Sequence, residues 1–173
     1  FKTPGSILIN SGTHVTGAVG ETAHFTLWTD TDNNLVGDIA LKGATNSDLT
    51  ISTNGGKIIM GGRHDPELSW AYSNSVHAID VRGTLDAGGG NIVMHGVSNS
   101  DNGPSQNIGI YLNDSILRTS GIGNITLYGN SNSGVNDGNS GIQAYLTGTT
   151  HQEGATIQAA SGNIYMRGYN TMG

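Results

Sequence analysis

GGGNIVMHG, residues 88–96, places an alternating pair of apolar residues, Ile92 and Met94, between a run of glycines and a single glycine. Related phrases stand at GGKIIMGG (55–62), GIGNITLYG (121–129) and SGNIYMRG (161–168), with a degenerate copy at HFTLWT (24–29). Alternation with a period of two puts one set of side chains on each face of a strand. Aligned on the first inward residue, the copies fall at Phe25, Ile58, Ile92, Ile125 and Ile164, separated by 33, 34, 33 and 39 residues. A repeat of this length is the mark of a stacked architecture.

Two further phrases recur in fixed order upstream of each copy. The first is SILINSG (6–12), GDIALKG (37–43), AIDVRG (78–83), GIYLND (109–114) and QAYLTG (143–148), with anchors at Ile9, Leu41, Val81, Leu112 and Leu146. The second is DLTIST (48–53), TLDA (84–87), SILRT (115–119) and ATIQA (155–159), with a weak copy at HVTGAV (14–19). No stretch shows sustained helical spacing with caps.

One such unit cannot bury its inward residues alone, whereas stacked units can, each strand pairing in parallel with its copy one repeat away. The expected fold is therefore all-β: a right-handed parallel β-helix, or β-solenoid, of about five coils, each with three short strands and one long loop. The expected coils are 1–36, 37–75, 76–106, 107–140 and 141–173, forming a single domain. The loops, 61–75, 95–107 and 129–140, leave the same corner each time and are rich in Ser, Asn, Gly and Asp.

Composition narrows the function classes. Glycine accounts for 28 of 173 residues and charged residues for 12%, against a usual charged share of about 25%. The abundance of Ile, Val and Thr sets the chain apart from disordered sequences. Cysteine is absent, which removes disulfides, thiol catalysis and Cys-based metal sites. With a net charge of −6 and only seven basic residues, the chain offers no basic face for nucleic acid. No apolar run approaches a membrane span, and no signal-peptide pattern is present.

GNITLYG preceded by TSGIG, and GGNIVMHG preceded by TLDAG, resemble the repeats of filamentous-haemagglutinin-like and autotransporter-type bacterial exoproteins. The resemblance covers essentially the whole chain, most clearly 37–168. It implies an extracellular or cell-surface β-helix used as an adhesin or fibrous stalk. The coil here is longer than that family's usual one, and its amino-terminal secretion domain is not recognisable.

The candidate sites follow from the alignment. Asn91, Asn124 and Asn163 open successive copies of the phrase, where stacked amides can form a hydrogen-bonded ladder; Lys57 replaces Asn in the earlier copy. Asn113 and Asn124 each begin a glycan sequon, which within a strand-turn ladder is expected to be coincidental. Asp30, Asp32, Asn34 and Asp38 in DTDNNLVGD (30–38) have the alternating oxygens of a calcium loop, without the Gly and the bidentate Glu of an EF-hand. Calcium is the one metal worth testing, and the expectation is no cofactor. Of the six histidines, His95 is placed outward in a surface column beside Tyr128 and Arg167. The column through Asp80 is read as Ala40, Asp80, Tyr111 and Tyr145, so the acids do not stack as a glycosidase would need. Tyr111 and Tyr145, with Tyr128 and Tyr165 on the neighbouring strand, are outward aromatics suited to a sugar ring or a protein contact.

The chain begins with a first phrase and ends after a third phrase, with no polar cap at either end. Uncapped repeats expose strand edges that template further pairing. The expected function is a non-catalytic extracellular shaft or end-to-end filament. Its partners would be further copies, a continuing solenoid, or a glycan or other cell-surface receptor, with no nucleic acid and no membrane insertion. The alternative is a polysaccharide-binding or polysaccharide-cleaving module.

Overall fold

The computed structural model describes residues 1–74, 76–99, 106–132, 138–145 and 154–171. These form fourteen β-strands and no helix. In chain order they are β1 (Ile7–Asn10), β2 (His14–Thr16), β3 (Phe25–Thr29), β4 (Ile39–Lys42), β5 (Thr50–Ser52), β6 (Ile58–Gly62) and β7 (Ala71–Ser73). There follow β8 (His77–Asp86), β9 (Ile92–Ser98), β10 (Ile108–Thr119), β11 (Ile125–Ser131), β12 (Ser140–Tyr145), β13 (Thr156–Ala159) and β14 (Ile164–Asn170).

The strands lie in two parallel sheets, one of eight strands and one of six. This overturns the expectation of a right-handed β-helix with three short strands in each coil. The first and second phrases share one sheet because no corner separates them in the third and fourth copies. β8 runs unbroken through Val81, Arg82, Gly83 and Thr84. β10 runs through Leu112, Asn113, Asp114 and Ser115, where a register shift against β8 accommodates one extra residue. Asp114 takes a left-handed backbone (φ 46) at this bulge, a conformation that Asp tolerates better than most residues. β7 adds a strand inside the expected 61–75 loop and pairs with β9.

The repeat anchors meet as the alignment requires. Phe25, Ile58, Ile92, Ile125 and Ile164 pair in register along the six-stranded sheet, as do Leu27, Met60, Met94, Leu127 and Met166. In the other sheet Ile9, Leu41, Val81 and Leu112 form one row, and Val15, Ile51, Leu85, Leu117 and Ile157 another. The interior members of these rows form one buried cluster between the sheets. Each fully buried Ile, Leu, Val or Met there contributes about 1.5–3 kcal/mol over its exposed state. The last copy differs: Leu146 lies outside the described residues, and Ala144 stands opposite Leu112.

The glycine before each Asn has a steric cause. A Cβ at Gly123 would lie 2.0 Å from the carbonyl oxygen of Gly90, and one at Gly90 would lie 2.0 Å from that of Gly56. The corner backbones stack too closely for any side chain. Thr53 and Thr119 close the turn beside them, donating their hydroxyls to the carbonyls of Gly56 (2.7 Å) and Gly123 (2.9 Å).

Candidate functional site

Beside that corner, Asn124 donates its backbone N–H to Oδ1 of Asn91 at 2.8 Å. Asn163 does the same to Oδ1 of Asn124, also at 2.8 Å. One copy earlier, the Lys57 N–H is received by His24 Nδ1 at 3.1 Å. An ammonium has no acceptor, so Lys57 cannot pass the ladder on to Asn91. Its side chain instead pairs with Glu67 at 2.5 Å. A second ladder, absent from the sequence reading, joins Asn99, Asn132 and Thr171: Asn132 donates to Asn99 Oδ1 at 2.7 Å, and Thr171 donates to Asn132 Oδ1 at 2.6 Å. It stands at the ends of β9, β11 and β14, where β9 and β11 run on into the expected loops; residues 100–105 and 133–137 of those loops lie outside the described residues.

The DTDNNLVGD stretch is held by its own contacts. Asp30 is buried, accepts the Leu35 N–H at 3.0 Å and faces the Arg63 guanidinium at 3.4 Å. Asp32 accepts from the Asn34 amide at 2.8 Å, and Asn34 Oδ1 accepts the Val36 N–H at 2.9 Å. Asp38 is hydrogen-bonded to Ser6. A cation at Asp30 would meet the guanidinium, an unfavourable like-charge contact. Among the described residues, no three His, Asp or Glu side chains are grouped to hold a metal ion.

On the eight-stranded sheet, the predicted column is displaced at its end. Ala40, Asp80 and Tyr111 are in register, but Gln143 follows, and Tyr145 stands opposite Asn113. The two tyrosine rings still approach, with centroids 6.4 Å apart and planes at 29°. His77 stacks on the other face of the row, 4.4 Å from the Tyr111 ring at 22°. Asp80, bonded by Lys42 and by His77 (3.3 Å), lies in a cleft of about 330 Å³ that includes Asp38, Ala40, Lys42 and Val76. Burial alone would raise the Asp80 carboxyl pKa; the hydrogen bonds from His77 and Lys42 outweigh it and hold the carboxyl below its ordinary range. Tyr111 is pushed up, first by burial and then by the charge of Asp80.

The opposite sheet carries a different aromatic group. His95, Tyr128 and Arg167 are in register as expected, but His95 is not on the surface: only 6% of it is accessible. Trp70, from the segment before β7, folds over it. The Trp70 and His95 rings lie 5.4 Å apart at 42°, and His95 and Tyr128 lie 5.0 Å apart at 51°. Burial lowers the His95 pKa, with the Leu68 backbone and the carboxylates of Asp65 and Glu67 acting the other way. Trp70, Tyr128, Arg167 and Tyr169 enclose a cleft of about 240 Å³. Tyr165, opposite Thr126, is exposed on the edge strand and lies outside this group. No local pattern singles out Trp70; only the loop's path over the sheet brings it in.

No family model, curated protein or solved structure matches the chain. Among the described residues, no helix is long and apolar enough to cross a membrane.

Proposed function

We propose that the chain is a non-catalytic structural and adhesive module of an extracellular or cell-surface protein, and that it joins further copies of the same strand stack through its open edges. The observation that carries this reading is the edge strand β14. Ile164, Tyr165 and Met166 are 44%, 51% and 48% exposed, although Ile125 and Leu127, the counterparts of Ile164 and Met166 one copy earlier, are fully buried. The apolar row thus continues to an edge that no described strand pairs, and a further parallel strand in the same register would bury it. At the other end of the stack, Ile7 and Ile9 of β1 and Val15 of β2 are only partly buried at the edge of the eight-stranded sheet, whereas the β3 edge of the six-stranded sheet is bridged by Phe1–Thr3.

The extracellular setting is supported by the resemblance of the repeat to haemagglutinin-like exoproteins. The reading needs no cofactor, and in the calcium-like loop at 30–38 Arg63 already faces Asp30. Catalysis is disfavoured by the pairing of Asp80 with Lys42 and His77 and by its unlike neighbours in the row. Sedimentation velocity over a range of concentrations tests the association: the mean sedimentation coefficient should rise with concentration. A monomer at every concentration would refute it.

A further inference from the structure

We propose that the cleft between Trp70, Tyr128, Arg167 and Tyr169 binds one carboxylated pyranose, such as a uronate or sialate unit of an acidic glycan. This goes beyond the stacking reading and does not depend on it.

Ring geometry separates this cleft from the one at Asp80. His77 and Tyr111 stack at 4.4 Å, which occupies one face of the Tyr111 ring. Trp70 and Tyr128 flank the buried His95, tilted against it by 42° and 51°, and with Tyr169 they form the aromatic wall of the cleft. The apolar C–H face of a sugar ring packs on such a wall while its hydroxyls stay hydrated. A volume of about 240 Å³ suits one ring rather than a chain.

Charge selects the carboxylate. Five of the seven basic side chains are ion-paired: Lys42, Lys57, Arg63, Arg82 and Arg118. Arg167 has no carboxylate partner among the described residues and lies over the Tyr169 ring at 4.5 Å. Stacking uses the face of a guanidinium and leaves its in-plane N–H groups available. Those donors match a carboxylate as a two-pronged pair. The cleft therefore presents an aromatic wall and a planar cation that no described carboxylate pairs, on an acidic protein.

Isothermal titration of the dilute chain with sialyllactose and with glucuronate oligosaccharides, each against its neutral counterpart, tests the assignment and distinguishes the two sources. At least one carboxylated probe should bind, its neutral counterpart at least about tenfold more weakly. Arg167→Gln should remove most of the binding, Arg167→Lys should leave an intermediate level, and Trp70→Leu should weaken it, each variant retaining the parent circular-dichroism spectrum. Arg167 is exposed, so its variants should fold. Absence of binding by both probes up to about 10 mM, a threshold near the weak limit of measurable affinity, would overturn the proposal. So would equal binding of neutral sugar, indifference to Arg167, or equal binding of an acidic peptide.

Discussion

The backbone N–H of Asn124 is received by the side chain of Asn91, 2.8 Å away and one repeat earlier in the chain. The same bond, from Asn163 to Asn124, links the next pair of strands. A side chain with an acceptor therefore satisfies a backbone donor where the chain turns into each strand, and the position admits Asn or His but gains nothing from Lys. Asn91→Ala and Asn124→Ala should each destabilise the fold by about 1–2 kcal/mol, since each leaves a donor without its partner. Asn163→Ala, at the edge of the sheet, should have a smaller effect. Urea unfolding of the three variants checks the order.

The corner glycines are the least replaceable residues of the repeat. A methyl group at Gly123 would overlap the Gly90 carbonyl oxygen at 2.0 Å, and the other nearest atoms are also backbone of Gly89 and Gly90, with no flexible side chain to yield. Gly123→Ala should cost more than about 2 kcal/mol, in the range of strong overpacking, as read from the urea midpoint. Gly5→Ala, where nothing lies within 4 Å, serves as the neutral control.

Burial of His95 makes stability depend on pH. Its folded pKa is lowered, so below the ordinary value of 6.5 the unfolded chain takes up a proton that the folded chain resists. The unfolded state then binds more protons, and stability falls as pH drops below about 6.5 toward the folded pKa. His95→Gln should flatten the pH dependence between about pH 7 and pH 5, measured by urea midpoints at each pH. The Asp80 carboxyl acts lower on the scale: its stabilisation is complete above its unfolded value of 3.8 and is lost as pH falls through its depressed folded value.

A charge on the open edge should separate folding from association. Met166 is half exposed on β14 and occupies the register position of buried Leu127. Met166→Lys should leave the unfolding free energy within about 0.5 kcal/mol of the parent, as surface substitutions usually do. The same change should suppress concentration-dependent sedimentation, because Lys on an edge strand opposes further pairing.

Much of this architecture is legible in the sequence, because the repeat fixes which residues lie opposite one another. Phe25, Ile58, Ile92, Ile125 and Ile164 were aligned by spacing alone and are paired in register. The division into sheets was not legible. Gly83 and Asp114 look like turn residues, yet they sit within continuous strands, Asp114 at a bulge. The register of the last copy was also ambiguous, because Ile142, Ala144 and Leu146 alternate with a period of two, and a slip of two residues keeps the same face inward. That slip misplaced Tyr145. The aromatic cleft escaped for a different reason: Trp70 reaches His95 through the course of a long loop, a tertiary contact that no periodic pattern encodes.

The central claim, association through the open edges, is tested most directly by negative-stain electron microscopy of the concentrated chain and of Met166→Lys. The account predicts unbranched filaments for the parent, with an axial repeat near 24 Å for five strand layers at about 4.8 Å each, and their loss in the variant. Isolated particles at all concentrations, or filaments unchanged by Met166→Lys, would contradict it.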